Sequence, residues 1–561
     1  MVLFDTLSDS FKSIASLDEK GIAWYTCGPT TYAPAHLGHA RTYVCLDIVR
    51  RILERTLSLS GKPAPLFVMN ITDVDDKILA AAKEAGEAPL ALARRYEHEF
   101  WQEMDALGCL RPHVVTRVTE HVQSDLVPYI ERLVEHGMAY TAENGVYFDV
   151  RAFEAKMGHL TKYGKLAPPS SATDFFLLNE SSPSVDHFKK DPRDFVLWKN
   201  RKVGEGLFWA SPWGEGRPGW HIECSAMIEY VQKKFQDSHT FHVHAGGVDL
   251  SFPHHTNEIA QSEAYHSDER SHEWIPHWVH TGHLYIQGLK MSKSLKNFIT
   301  IKELLEVDAT VKSALSAPGD DFRLWCLGIS GSYRGPATYS RDRIDEARMI
   351  REKIVKFLMD GEVWILKSGE NAPRKWTNDD HILYSLGQNA FTQSLEALIG
   401  NDQPSRKNFD LDGKSFIDAM VKMVEIGNAH IHKVKPGDVA IEPLCFILNS
   451  LRNRLGLVGF TAATTRAGLD FAKESSNQNS VVGGERALAE ELARFRTGVR
   501  RAALLDTKAG DATANTKFIL KICDDLRDEF LPSIGVELID AKSHDNHSPS
   551  WRFCLPKRPR G

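Results

Sequence analysis

Short apolar runs that stop at turn signals alternate with helical patterns over the first 300 residues of the chain. Four of these runs have the length and composition of buried strands, at residues 22–26, 66–69, 241–244 and 278–280. A helical pattern of apolar positions follows the first run, from about residue 39 to residue 53. Strands that alternate with helices favour a parallel sheet covered by helices, so we predict an α/β domain in this part of the chain.

The pattern of the remaining chain predicts further units, because 561 residues are too many for a single hydrophobic core. The irregular stretch 116–202 is predicted to be an insertion between the two halves of the sheet, 1–115 and 203–300. Strand signals fade after residue 300, which favours a connecting region over 301–345 and a helical bundle over 346–473. A polar linker over 474–484 and a small final unit over 485–561 complete the prediction.

Composition and charge are those of an ordinary globular protein, with 42% hydrophobic and 25% charged residues. No apolar run approaches the roughly 20 residues that cross a bilayer, and the first residues resemble neither a signal peptide nor a transit peptide. We therefore expect a cytosolic enzyme without a membrane partner. The net charge of −6 means that any nucleic-acid contact must come from local basic surfaces.

The eight cysteines are scattered and form no CxxC pair, so a disulfide framework is not expected. Most of them should be buried thiols. Any metal site in this chain has to recruit cysteines that lie far apart in the sequence.

A candidate phosphate site follows the first predicted strand, where residues 36–39 open a helix. The free N–H groups and partial positive charge of a helix N-terminus attract a phosphate, and Gly38 permits close approach of the nucleotide to the backbone. His36 and His39 can donate hydrogen bonds to an α-phosphate as its charge grows during displacement. A four-residue match of this kind is weak alone, and a surface turn is the alternative.

A second candidate lies after the last predicted strand, at residues 290–294. Lys290 and Lys293 stand on a small, serine-containing loop that could close on a triphosphate and neutralise the departing pyrophosphate. An ordinary exposed basic loop is the alternative interpretation of this segment.

In this order, the two segments resemble the paired signatures of class I aminoacyl-tRNA synthetases. The likeness extends to residues 70–73 and 246–249, which follow two of the predicted strands. The resemblance implies a Rossmann-like catalytic domain, a stem-contact region over 301–345, and an anticodon-binding domain over 485–561. It also implies that adenosine is bound by Gly246, Gly247 and Asp249, with Asp249 at the ribose. A turn-forming aspartate is the alternative for Asp249.

Four further residues have the chemistry of zinc ligands: Cys27, Cys224, His254 and Glu258. On a helix His254 and Glu258 are four residues apart and share a face, whereas His255 is predicted to point elsewhere. Taken singly, each could be a buried thiol, a satisfied histidine or a surface glutamate.

Segments 25–30, 219–227 and 252–255 resemble cysteinyl-tRNA synthetases, and the four residues match the zinc site of that family. The resemblance implies one Zn²⁺ per subunit, Mg-ATP and L-cysteine as substrates, and cysteinyl transfer to the 3′ end of tRNA(Cys). It also implies that the cysteine pocket is lined by Gly28, Thr72 and Trp220. A zinc–thiolate bond distinguishes cysteine from serine, whose alcohol stays protonated and is a weaker ligand.

Residues 535–540 and 551–552 resemble the end of that family's anticodon-binding domain. Four residues are predicted to contact the tRNA: Arg500, Asp524, Asp540 and Trp551. A solvated helical face is the alternative for these positions. Three rival functions stay open: a ligase that joins cysteine to a small amine, an inactive interaction protein derived from a synthetase, and a purely structural zinc site.

Overall fold

The computed structural model describes residues 1–14, 20–158, 161–168, 187–268, 274–286, 288–290, 298–307, 316–368, 373, 375–399, 410–461, 464, 536–539 and 550–553. The chain divides into two compact units, Met1–Thr465 and Arg466–Gly561. The predicted linker at 474–484 lies outside the described residues, and the domain boundaries stay predictions.

The described strands are numbered in chain order. They are β1 Val2–Asp5, β2 Ser10–Ser13, β3 Gly21–Thr26, β4 Leu66–Ile71, β5 Val114–Arg117, β6 Ala139–Ala142, β7 Gly145–Phe148, β8 Phe195–Asn200, β9 Gly216–Pro218, β10 His239–Gly247, β11 His277–Thr281, β12 Leu284–Ile286, β13 Leu289–Lys290, β14 Ala337–Tyr339, β15 Val536–Ile539 and β16 Ser550–Phe553.

The described α-helices are numbered in the same way. They are α1 Leu37–Leu59, α2 Asp76–Ala85, α3 Pro89–Ala106, α4 Val118–His121, α5 Val127–Glu135, α6 Val150–Met157, α7 Trp220–Phe235, α8 Thr256–Tyr265, α9 Ile301–Val307, α10 Pro318–Leu324, α11 Arg341–Ser368, α12 Asn378–Ile399, α13 Gly413–Lys433 and α14 Glu442–Leu457.

A five-stranded sheet in the order β11-β10-β3-β4-β5 forms the centre of the first unit, and all its neighbouring strands are parallel. All six residues of β3 are buried, as expected for a parallel strand with neighbours on both edges and cover on both faces. The predicted α/β parallel sheet is therefore confirmed. The carboxyl ends of its strands lie at one edge, where sheets of this class bind ligands.

The insertion follows β5 and contains an antiparallel sheet in the order β6-β7-β8-β9 with its own hydrophobic core. Its last strand ends at Pro218, beyond residue 202, where the sequence predicts the insertion to end. That strand has only three residues and follows a stretch of turns, which gives no strand signal in the sequence. Helix α7 begins two positions after β9 and returns the chain to the central sheet through β10.

The helical part of the first unit contains α11, α12, α13 and α14, with α13 in contact with the three others. Its apolar faces join the same core as α1, through residues that include Phe357, Phe416 and Leu448. In the second unit, β15 and β16 form an antiparallel pair in which Trp551 lies opposite Leu538. Across the described residues, no helix is both long enough and apolar enough to cross a membrane.

A buried ion pair connects α1 with α10. The Arg323 guanidinium donates to Asp47 Oδ2 at 2.7 Å, and Asp47 also accepts from Arg51 Nε and the backbone N–H of Leu110, each at 2.8 Å. Arg323 is fully buried, so it depends on the Asp47 carboxylate for its charge balance.

We expect Asp47→Ala to destabilise the first unit by about 3–5 kcal/mol, because it leaves the guanidinium of Arg323 buried without a counter-charge. Urea unfolding followed by tryptophan fluorescence measures the loss. Asp105→Ala is the matched control, since it removes an exposed pair with Arg111 and should cost less than about 1 kcal/mol. Equal losses in the two variants would contradict this assignment.

Candidate active site and metal centre

The N-terminus of α1 is capped by two histidines. His36 Nδ1 accepts from the backbone N–H groups of Gly38 at 3.1 Å and His39 at 3.3 Å, and His39 Nδ1 accepts from the N–H of His36 at 3.4 Å. The two rings stack with their centroids 3.8 Å apart. A ring nitrogen that accepts a hydrogen bond carries no proton, so each neutral imidazole must carry its proton on Nε2. Both rings therefore offer an Nε2–H donor at the carboxyl end of β3.

His39 is a neutral donor. Burial lowers the pKa of His39 to about 4, so the ring carries no charge near pH 7. The positive potential at this position then comes from the N–H groups and dipole of α1.

The structure describes only one of the two predicted lysines. Lys290 ends β13, which pairs with β12 beside the central sheet, and Lys293 lies outside the described residues. The chain is described again from Phe298, and it then returns to the start of α1, where His36 and Thr300 form an antiparallel bridge.

The predicted adenosine-binding residues follow β10. Gly246 and Gly247 end the strand, and Asp249 lies exposed in the short turn Val248–Leu250. A Cβ on Gly247 would lie 2.5 Å from Asp249 Oδ1, and one on Gly246 would lie 3.0 Å from the ring of His255. The two glycines let the Asp249 carboxylate and the His255 ring approach this strand end closely, and a side chain at either position would displace them.

The four predicted zinc ligands lie together and are all buried. Cys27 directly follows β3, and Cys224 lies in the second turn of α7. His254 lies in the turn just before α8, and Glu258 lies in the first turn of α8. Their donor atoms are all within 4.8 Å of one another. The sequence prediction of this cluster thus agrees with the positions of the side chains, while its metal stays a proposal.

The spacing of the two thiols and of the imidazole fits a tetrahedral zinc ion, while Glu258 lies at a direct hydrogen-bond distance from His254. Two thiolates at about 2.3 Å from zinc lie about 3.8 Å apart, and a thiolate and an imidazole nitrogen about 3.5 Å apart. The Cys27 and Cys224 sulfurs are 3.8 Å apart, and Cys224 Sγ lies 3.5 Å from His254 Nε2. Glu258 Oε1 lies 3.8 Å from Cys27 Sγ and 2.9 Å from His254 Nε2.

The predicted orientation of His255 is wrong. Its Nε2 lies 3.4 Å from Cys27 Sγ, and His244, His255, Cys27 and Glu258 form a second group whose atoms could hold a metal. The prediction assumed α-helical spacing, but residues 251–255 form a wider turn in which Phe252 is extended, and α8 begins only at Thr256.

Two histidines that the sequence prediction missed surround this cluster. His244 Nε2 lies 2.9 Å from Glu258 Oε2, and its ring stacks on Trp278 with centroids 4.4 Å apart. His280 Nε2 lies 2.7 Å from His255 Nδ1, and its Nδ1 lies 2.6 Å from the Thr6 hydroxyl. Both histidines lie in strands that are otherwise apolar, and a histidine is unusual in a buried strand. This was the feature of the sequence from which they could have been found.

The electrostatic balance of the cluster favours an anionic Glu258 and a thiolate at Cys224. Burial acts to raise the pKa of Cys224, but the hydrogen bond with Cys27 and the charge of His254 lower it to about 6. Burial likewise opposes the ionisation of Glu258, but His244 and His254 lower its pKa to about 2. Charged anionic donors are the form that binds a divalent metal.

The predicted cysteine pocket adjoins this cluster. The Trp220 ring stacks on His254 with centroids 4.3 Å apart, and the N–H of Gly28 donates to Asn70 Oδ1 at 2.9 Å. A Cβ on Gly28 would lie 1.7 Å from the Asn70 carbonyl oxygen, so no larger residue fits. The Thr72 hydroxyl lies 3.5 Å from Glu223, a buried carboxyl that the sequence prediction missed and whose pKa is raised well above its usual value by burial.

The predicted tRNA-binding residues are described only in part. Trp551 lies in β16, whereas Arg500, Asp524 and Asp540 lie outside the described residues. Their contacts with tRNA therefore stay predictions.

Comparison with known proteins gives consistent matches. Residues 13–317 match the family described as the class I (C) tRNA synthetase catalytic domain. The cytoplasmic cysteine–tRNA ligase of Dictyostelium discoideum is 36% identical over 539 residues, which cover 95% of this chain and 74% of that protein. A probable mitochondrial cysteine–tRNA ligase of Xenopus tropicalis is 35% identical over 526 residues, covering 91% and 80% of the two chains.

The fold is also similar to a solved structure. Mycobacterium tuberculosis methionyl-tRNA synthetase, in complex with methionyl-adenylate, superposes with a TM-score of 0.56 at 14% identity. The match covers 79% of this chain and 92% of that one. At this identity the likeness concerns the fold alone.

We predict that the two overlapping groups are not equivalent as metal sites. His254→Ala should lose the bound metal, because the group with two thiolates has the tetrahedral spacing, whereas His255→Ala should keep it. Elemental analysis after dialysis against a chelator measures both, with His255→Ala as the matched control. Retention by His254→Ala together with loss by His255→Ala would assign the metal to the second group.

Proposed function

The chain belongs to the cysteine–tRNA ligase family of the class I aminoacyl-tRNA synthetases, and on that premise we propose that it attaches L-cysteine to tRNA(Cys) with ATP as the energy source. The observation that carries the proposal is the buried group of Cys27, Cys224, His254 and Glu258 next to the capped start of α1. The proposed thiol-binding centre includes the residue that directly follows β3, and the proposed phosphate-binding helix end is the start of the next helix along the chain.

In the proposed first step, the cysteine carboxylate attacks the α-phosphate of Mg-ATP, which yields cysteinyl-adenylate and pyrophosphate. The Nε2–H donors of His36 and His39 stabilise the charge that develops on the α-phosphate oxygens. Gly246, Gly247 and Asp249 bind the adenosine, and Lys290 and Lys293 neutralise the pyrophosphate that leaves. Positioning and charge stabilisation carry this step without a covalent enzyme intermediate.

The proposed metal is one zinc ion per subunit, held by Cys27, Cys224, His254 and Glu258. Bound there, zinc supplies a ligand position for the substrate thiolate, which serine cannot occupy with comparable affinity. Trp220 keeps the ring of His254 in place through its stacking contact, and Gly28 lets the backbone after β3 pack directly against β4. His244 orients Glu258 through the second carboxylate oxygen, an arrangement that often fixes metal ligands.

In the proposed second step, a ribose hydroxyl of the terminal adenosine of tRNA(Cys) attacks the adenylate. The second unit is proposed to bind the anticodon, with Arg500, Asp524, Asp540 and Trp551 as the candidate contacts. Base edges and stacking are how proteins read single-stranded RNA. The cytosolic location stays a prediction from the sequence, because one relative is named cytoplasmic and another mitochondrial.

We predict that the wild-type protein catalyses pyrophosphate exchange with cysteine and rejects serine by roughly 10⁴-fold or more in kcat/KM, because the site loses a thiolate bond with serine. The measurement is exchange with each amino acid in turn, at matched zinc content. The zinc content of the purified protein is measured separately, without any substrate, and should be one ion per subunit. Exchange with serine at a rate near that of cysteine would refute the proposed basis of selection.

Removal of the chain after Gln478 should spare adenylate formation and strongly reduce tRNA charging. Every residue proposed to contact ATP, cysteine or zinc lies in the first unit, which forms a compact body of its own. Pyrophosphate exchange and aminoacylation of a cysteine tRNA are measured on full-length and truncated protein. If full-length protein activates cysteine but charges no tRNA, a ligase acting on a small amine becomes the better explanation. Undiminished charging by the truncated protein would instead place tRNA recognition in the first unit.

A further inference from the structure

The segment that follows the predicted basic loop is hydrogen-bonded to the start of α1. The N–H of Leu37 donates to Ile299 O at 3.0 Å, and the N–H of Ile301 donates to Ala35 O at 3.1 Å. These two bonds enclose the antiparallel bridge between His36 and Thr300. The backbone on either side of His36 is therefore tied to residues 299–301.

This segment is itself held firmly. The side chain of Ile301 is fully buried in the main core of the first unit, and Ile299 packs against that core. Thr300 and Glu303 form a capping box at the start of α9, in which Glu303 Oε2 accepts from the Thr300 N–H at 2.7 Å and the Glu303 N–H donates to the Thr300 hydroxyl at 3.0 Å. The position of Phe298 relative to α1 follows from these anchors.

The Phe298 ring contacts the ring of His36. The ring centroids are 5.1 Å apart and the planes are inclined at 83°, which is the edge-to-face geometry that aromatic rings prefer. Ile299 and Ile301 supply the packing of this segment into the core, whereas Phe298 is only half-buried and lies next to the cap.

Several contacts restrain the ring of His36. Its Nδ1 accepts from two N–H groups at 3.1 and 3.3 Å, which restrains one edge of the ring. The stack with His39 restrains the tilt on one side. The perpendicular ring of Phe298 adds a further restraint.

We propose that Phe298 is a positioning residue for the activation step: it holds the His36 ring so that the Nε2–H donor points at the phosphate that is attacked. Phe298 acts through His36 and does not itself contact the nucleotide. This inference rests on the proposed function, because it concerns the alignment of a donor during adenylate formation. A donor displaced by a fraction of an ångström stabilises the transition state less, while ground-state binding of the substrates changes little.

The test uses full-length protein with four substitutions: Phe298→Leu, Phe298→Tyr, His36→Asn and the double variant Phe298→Leu with His36→Asn. Pyrophosphate exchange gives kcat and the KM values for ATP and the amino acid. Phe298→Leu should lower kcat by about tenfold, with both KM values within about twofold of wild type. Phe298→Tyr keeps an aromatic ring and should therefore keep a rate close to that of the wild-type protein. Ile299→Val is the matched control, since it alters packing in the same segment without touching the His36 ring.

The double variant separates positioning from a structural role. If Phe298 works through His36, Phe298→Leu causes no further loss once His36 is replaced by asparagine, because the donor that it aligns has gone. A loss of the same size in both backgrounds overturns the inference, and so does an equal loss in Ile299→Val. Pyrophosphate exchange by the wild-type protein tests the proposed function separately. The variants are then compared with the wild-type protein, using as substrate whichever amino acid the wild type activates.

Discussion

The parallel pairing of β3 with β10 is the constraint on which the rest of the structure depends. The two strands lie more than 200 residues apart in the chain, yet residues 21–26 are in register with residues 239–245. The N–H of Cys27 donates to the Ala245 carbonyl at 3.1 Å, so the pairing continues to the point where both strands end. It brings the first thiol of the metal group together with the glycines that end β10. The capped start of α1 is close to Cys27 in the sequence, whereas these glycines are more than 200 residues away.

Burial determines the charge of each group at this edge. Several imidazoles are kept neutral, because burial lowers the pKa of His39 to about 4 and that of His280 to about 3. His254 is the exception: burial alone would lower its pKa, but the adjacent Glu258 and Cys224 raise it to about 10. Two of the buried glutamates, Glu258 and Glu223, differ in the same way. Two imidazole partners lower the pKa of Glu258 to about 2, whereas burial raises the pKa of Glu223, which lies 3.5 Å from the Thr72 hydroxyl, well above its usual value.

Continuous apolar runs made the parallel sheet predictable from the sequence. The nucleotide site inferred from the two signature segments stays a prediction, and Lys293 lies outside the described residues. The set of four metal ligands was also found, because the thiols lie within recognisable segments. The second group was missed, since helical periodicity does not apply to the wider turn before α8 that turns His255 towards Cys27. His244 was not predicted to belong to the site, because the sequence of an apolar strand does not indicate which of its faces contacts a ligand. Strand β9, which lies beyond the predicted end of the insertion, was not predicted because it is short and its pairing with β8 is a tertiary contact.

The insertion also positions part of the metal group, because it fixes the start of the helix that carries Trp220 and Cys224. The N–H of Gly219 donates to Leu197 O at 2.8 Å, and a Cβ on Gly219 would lie 2.1 Å from the Val196 carbonyl. The first turn of α7 is thus attached directly to β8. Because Trp220 and Cys224 lie in the first two turns of that helix, the position of the antiparallel sheet determines where the stacking ring and the second thiol stand. A displacement of the insertion would therefore separate the two halves of the metal group, because its core also includes residues of the two helices that carry Cys224 and Glu258.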